Sequence, residues 1–161
     1  MRTLWRAALL ILLCASARAA VVRPAPDLGL EGAARPASLR GLRGQPVVVL
    51  IARSARDGDF RKEVYWLKAM FQQFASEKVV FVAAILNGPQ MVRSDIPFVI
   101  ASNPAQVAEE YGVDRRFAIA VIGVDGNLDL ITYKVIPASR VRDAIFNNFE
   151  FQQESRKQGG I

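Results

Sequence analysis

Residues 47–52 read Val-Val-Val-Leu-Ile-Ala, six apolar positions in a row, four of them β-branched. A strand with one wet face alternates apolar with polar residues. An unbroken run of this kind predicts a strand covered on both faces, at the centre of a sheet with helices packed against it. Residues 79–86, Val-Val-Phe-Val-Ala-Ala-Ile-Leu, repeat the pattern. Between the two runs, Phe60, Val64, Leu67, Phe71 and Phe74 fall at i, i+4, i+7, i+11 and i+14. That spacing predicts one apolar face of a four-turn helix over 60–76, with Asp59 as its N-cap. Strand, helix and strand in this order predict parallel pairing through a right-handed crossover.

The remaining elements follow from local signals. Residues 28–30 and 37–39 read as a small hairpin. Residues 98–101 read as a short strand. Asn103-Pro104-Ala105-Gln106 carries a cap, a proline at the first helical position and a Gln three residues after the cap. The helix it opens runs to Tyr111 and stops at Gly112. Residues 117–124 and 128–135 read as antiparallel strands joined by the tight-turn pair Asp125-Gly126. Pro137 opens a last helix with Val141, Ala144, Ile145 and Phe149 inward, and residues 151–161 form a polar tail. The fold class predicted is α/β, a sandwich with a mixed central sheet and flanking helices, built as one domain over 20–150.

The first 19 residues predict a targeting segment. Arg2 and Arg6 precede the apolar run 7–17, and Ala17-Arg18-Ala19 supplies the small-x-small pattern of a signal peptidase site. The run is short for a membrane span, so cleavage after Ala19 is expected over retention as an anchor. The mature chain is then expected to be periplasmic or secreted, with no stable membrane insertion. Three arginines and the sole cysteine, Cys14, leave with that segment, so 18 basic residues face 15 acidic ones, a net charge of about +3. Such a balance gives no case for nucleic acid. The chain has no histidine. That removes Ser-His-Asp and Cys-His nucleophile systems, and His-ligated zinc. No cofactor or metal is expected. Asp125-Gly126-Asn127-Leu128-Asp129 has alternating oxygen ligands like the start of a calcium loop, but Ile136 stands where a bidentate Glu would be needed. A hairpin turn explains the same residues.

Three passages together carry a family resemblance. The first is Pro26-Asp27-Leu28-Gly29-Leu30, then Pro36-Ala37-Ser38-Leu39 and Leu42-Arg43-Gly44-Gln45-Pro46-Val47-Val48-Val49. The second is the stretch from Glu63 to Phe74. The third is Ala108-Glu109-Glu110-Tyr111-Gly112-Val113, then Ala120-Val121-Ile122-Gly123-Val124-Asp125-Gly126-Asn127. In this order and spacing they resemble the redoxin branch of the thioredoxin-like superfamily, over roughly residues 26–149. That branch includes thiol-disulfide oxidoreductases and the alkyl hydroperoxide reductase/thiol-specific antioxidant group.

The departures bear on function. The family holds a cysteine, or a Cys-x-x-Cys pair, just after the first core strand, where the helix N-terminus favours the thiolate. This chain has Ala55-Arg56-Asp57-Gly58 there, so Ala55 and Gly58 stand at the former redox positions. The family also places a substrate-binding cis-proline shortly after Gly-Val-x; this chain has Asp114-Arg115-Arg116-Phe117, with Phe117 at that position. The resemblance implies the fold and argues against the activity. The expectation is a non-catalytic binding or accessory module with an envelope or extracellular protein, or an acidic ligand, as partner. The alternative is a redoxin-type antioxidant or oxidoreductase using a thiol supplied by a partner, or another residual activity. In the implied fold, Arg53, Arg56, Arg115 and Arg116 gather near the helix N-terminus as a candidate anion site. Asp57, Asp59 and Asp114 lie among them, and a solvated mixed-charge loop pair fits the same residues. Tyr65, Trp66 and Met70 lie off the main apolar stripe, to pack at the sheet edge or face a partner.

Overall fold

The computed structural model describes residues 23–32, 37–89 and 91–146. The expected signal segment, Phe149 and the polar tail lie outside these. The elements are β1 (Val47–Ala52), α1 (Gly58–Ala69), α2 (Phe71–Ser76), β2 (Val80–Ile85), β3 (Phe98–Ile100), α3 (Pro104–Glu110), β4 (Phe117–Ile122) and β5 (Leu128–Thr132). A 3-10 turn, Leu39–Leu42, precedes β1. A C-terminal helix starts at residue 138 and is described to 146.

One five-stranded sheet has the order β3-β2-β1-β4-β5. β1 pairs parallel with β2, and β2 parallel with β3. β4 runs antiparallel to β1, and β5 antiparallel to β4. The mixed sheet expected from the sequence is therefore present, with the two apolar runs as its parallel centre. All six residues of β1 are buried, because successive side chains alternate between two covered faces. Val47, Val49 and Ile51 join a cluster with Leu28, Leu30, Val107 and Tyr111, under α3 and the lead-in segment. Val48, Leu50 and Ala52 join Phe60, Leu67, Phe74, Val141 and Ile145, under α1, α2 and the C-terminal helix.

The expected single helix over 60–76 is two helices, broken at Met70, whose N–H donates to Leu67 O at 3.1 Å. The apolar positions recur every 3.5 residues, and a straight helix drifts from that repeat by about 20° per heptad. The break takes up the drift and turns Phe71 and Phe74 onto Phe81, with ring centroids 6.2 and 5.6 Å away. Phe81 continues the aromatic row to Phe98 at 6.0 Å, and Phe98 to Phe60 at 6.3 Å.

The cap of α1 also differs from expectation. Asp57, not Asp59, holds the helix N-terminus: its Oδ1 accepts from Asp59 N at 2.9 Å and Phe60 N at 3.3 Å. The preceding turn sets this up. Asp57 N donates to Ser54 O at 3.0 Å, and Arg56 N to Ser54 Oγ at 3.2 Å, which points the Asp57 carboxylate along the helix start. Asp59 falls in the first turn instead, where its charge still favours the dipole.

Other local signals act as read. Asn103 Oδ1 accepts from Gln106 N at 3.3 Å, with Pro104 at the first helical position, and Gly112 closes α3 at φ +66°. In the β4–β5 turn, Gly126 has φ +81° and its N–H donates to Gly123 O at 2.9 Å. Asp125 Oδ1 accepts from Asn127 N at 3.0 Å, so this carboxylate holds the turn together. The lead-in pairs as a hairpin at Gly29 and Ser38, and Leu30 bridges to Ala101 beyond β3. Tyr111 OH donates to Pro26 O at 3.0 Å and ties the lead-in to α3.

Candidate functional site

Three loops meet at the end of the sheet where β1 stops. Arg53 N donates to Arg116 O at 2.9 Å, Leu86 N to Ala52 O at 2.9 Å and Asn87 N to Arg53 O at 2.9 Å. The loops after β1, after β2 and before β4 thus lie side by side. Arg53, Arg56, Arg115 and Arg116 are all exposed there. They do not converge on one point. The Arg115 guanidinium stacks 5.6 Å from the Tyr133 ring, beyond β5, while Arg56 turns to the β2 and β3 side. The structure brings Arg53 and Arg116 together through their backbones and sends Arg56 and Arg115 to opposite edges.

Three further positions that the resemblance singles out lie nearby. Gly58 is the first residue of α1 and is exposed, and no atom lies within 4 Å of where a Cβ would stand. Ala55 sits in the turn before the helix and packs against the α1-side core. Phe117 opens β4, buried opposite Ala52. The helix N-terminus itself is occupied by the Asp57 carboxylate. An external anion there would compete with an internal one, so α1 offers its dipole to no ligand at this point.

A groove of about 1050 Å³ lies between α1 and the segment after β2. Phe60, Arg61, Val64, Tyr65 and Lys68 form the helix wall; Pro89 and Met91–Asp95 form the other; Ser54, Ala55 and Arg56 close one end. Lys68 and Asp95 form an ion pair across it. Among the described residues, no carboxylate pairs with Arg56, Arg61 or Arg93. Tyr65 and Met91, at 72% and 66% exposure, stand at the rim. The three off-stripe residues expected of the 60–76 helix therefore divide: Met70, at the break, packs on the core, Trp66 is half-buried with Lys62 Nζ 5.1 Å from its ring, and Tyr65 faces solvent. Sequence reading passed over Arg61 and Arg93, which are 32 positions apart and look like ordinary surface charges alone.

It also passed over Glu63, the one fully buried charged residue described. Its Oε2 accepts from Ile136 N at 2.9 Å, tying α1 to the segment after β5. Its Oε1 is buried with no hydrogen-bond partner. Burial pushes this carboxyl up to about 7, against a smaller opposing pull from the Ile136 N–H. The signal was available: Glu63 lies three residues after Phe60 and four before Leu67, on the apolar flank of the helix. Among the described residues, no cluster of three acidic, His or Cys side chains is arranged to hold a metal ion. No described helix is long and apolar enough to cross a membrane.

Neither a protein-family model nor a curated protein sequence matches this chain. Solved structures do match its shape. A protein assigned as the thiol:disulfide interchange protein DsbE of Chlorobium tepidum aligns with a TM-score of 0.64 at 20% identity, over 78% of this chain and 95% of that one. Thioredoxin peroxidase I of Plasmodium yoelii aligns with a TM-score of 0.59 at 15% identity, over 87% and 94%. The thioredoxin domain of a Bacteroides vulgatus thiol-disulfide oxidoreductase aligns with a TM-score of 0.55 at 18% identity, over 79% and 93%. With its sheet order, flanking helices and these likenesses taken together, the chain has the thioredoxin-like α/β fold of the redoxins.

Proposed function

We propose that the chain is an exported binding module that keeps the thioredoxin-like fold and works without a thiol of its own. It engages an anionic partner through the basic surface beside α1. The observation that carries this reading is the occupant of the α1 N-terminus. Where the resembling family holds a thiolate, this chain holds the Asp57 carboxylate, bonded to Asp59 N and Phe60 N. Thiol exchange begins with attack by a thiolate. Cys14, the only cysteine, lies in the segment expected to be cleaved. Exposed guanidinium groups suit carboxylates through paired hydrogen bonds.

The activities named for the similar structures favour a second reading, in which a partner or small molecule brings the thiol. Disulfide-reduction and hydroperoxide-consumption assays on residues 20–161, with and without added dithiol, separate the two. The binding reading expects no rate above buffer in either assay. A rate that survives purification and vanishes on Arg56→Ala or Asp57→Ala overturns it. Export is tested independently by N-terminal sequencing of the protein released to the envelope or medium, expected to begin at Ala20.

A further inference from the structure

We infer that the groove between α1 and residues 91–95, rather than the arginine loop pair, is the ligand site, and that it takes an extended acidic peptide with apolar side chains at alternate positions. The inference rests on the binding-module reading and names the partner's chemistry.

Charge decides the sign of the ligand. The acid of the groove, Asp95, is already paired with Lys68, so Arg56, Arg61 and Arg93 present three guanidinium groups with no internal carboxylate among the described residues. The apolar rim decides that charge is not the whole of it. Tyr65 and Met91 are large side chains left in solvent on the two facing walls, the kind of residues that anchor interfaces when covered.

Shape decides that the ligand is a chain. From Phe60 to Lys68 the helix wall spans about 12 Å, the length of roughly four residues of extended peptide. The opposite wall adds a second, independent feature. Among the described residues, the backbone N–H and C=O groups of Met91, Val92 and Arg93 make no hydrogen bond. Unused backbone donors and acceptors of this kind can pair with an extended ligand segment, whose side chains of alternating direction then reach the arginines on one side and Tyr65 and Met91 on the other.

The probe is a fluorescein-labelled peptide, Glu-Phe-Glu-Leu-Glu-Phe, titrated by anisotropy with residues 20–161. Saturable binding is expected, weakened at least about tenfold by the double reversal Arg61→Glu/Arg93→Glu. The double variant Tyr65→Ser/Met91→Ser is expected to weaken it about threefold or more. Arg115→Glu, at the far edge, is expected to leave it unchanged. All these side chains are exposed, and circular dichroism checks that the variants fold. The inference is overturned if the peptide does not bind, if the groove reversal has no effect, or if the Tyr65/Met91 variant binds equally well. Displacement by inorganic phosphate alone, or equally tight binding to phosphatidylglycerol vesicles through the same residues, also overturns it. If binding is lost instead on Arg53→Glu/Arg116→Glu, the groove is wrong while the binding-module reading stands. A thiol-dependent rate in the assays above removes that reading whatever the peptide does.

Discussion

Replacing Glu63 with glutamine removes the one buried titratable group that ties α1 to the segment after β5. In the folded chain its carboxyl is held up to about 7, against an ordinary value of 4.5. Below pH 4.5 both folded and unfolded states keep the proton, and the group contributes nothing to stability. Between 4.5 and 7 the unfolded state releases its proton while the folded state retains it, so stability falls as pH rises. Above 7 both are ionised and the full cost is present. A gap of about 2.5 pH units at ~1.4 kcal/mol per unit makes that cost about 3 kcal/mol.

The protein suits this measurement. It has no histidine. No imidazole therefore titrates alongside Glu63 between pH 5 and 8. Urea unfolding of the wild type is expected to show a loss of about 2–3 kcal/mol from pH 5 to pH 8, because part of the cost is already present at pH 5, and Glu63→Gln to show a nearly flat profile. The glutamine carbonyl still accepts from Ile136 N, but its amide brings donors to a position where Oε1 had no partner. That offset, about 1–3 kcal/mol, does not vary with pH, so the slope is the test and the absolute stability is not. Glu63→Met, which loses the Ile136 contact, is also expected to be flat. An equal slope in wild type and both variants refutes the assignment of the pH dependence to this carboxyl.

Two further substitutions read single contacts. Asp57→Ala removes the α1 cap and is expected to cost about 1 kcal/mol in denaturant unfolding; no change means that the cap bonds at 2.9 and 3.3 Å carry no weight in solution. Tyr111→Phe deletes the hydroxyl that reaches Pro26 O, at a cost of about 1 kcal/mol. Hydrogen exchange should then quicken in residues 23–32 before it changes in the sheet; uniform quickening contradicts a local tie.

The elements legible in the sequence are those whose cause is local or nearly so. The run 47–52 needs no partner to declare two covered faces, and Asn103-Pro104 with Gly112 writes both ends of α3 into ten residues. The break at Met70 is not legible. Lys68-Ala69-Met70-Phe71 contains no glycine or proline, and what bends the chain is Phe81, brought alongside by the sheet. The cap is a similar case. Asp57 and Asp59 are equally good caps as residue types, and the Ser54 turn chooses between them. The site follows the same division. The implied fold grouped four arginines from two loops, but Arg115 is drawn away by Tyr133, a residue of the far edge. Arg61 and Arg93 become neighbours across a groove only once residues 91–95 lie along α1.

The occupied helix N-terminus leads to a last prediction, about placing a thiol there. Gly58→Cys places a sulfur at the first residue of α1, in open space. At a free helix N-terminus the dipole and N–H groups would pull the thiol well below its ordinary value. Here those N–H groups are already bonded to the Asp57 carboxylate, and a negative charge one residue away disfavours a second. The two influences oppose, so the pH midpoint for alkylation of the new thiol by iodoacetamide is expected near ~8.5. Adding Asp57→Asn keeps an oxygen cap but removes the charge, and should lower the midpoint by about one unit. A single variant already reacting with a midpoint below about 7 refutes the idea that Asp57 takes up this end of the helix. The pair Ala55→Cys/Gly58→Cys is expected to close a disulfide. Failure to close means that these two positions are not the pair that the resemblance implies. If it closes, exchange with added dithiol should be slow until Asp57→Asn is also present, because restored sulfur atoms without a free helix N-terminus recover the bond and not the reactivity.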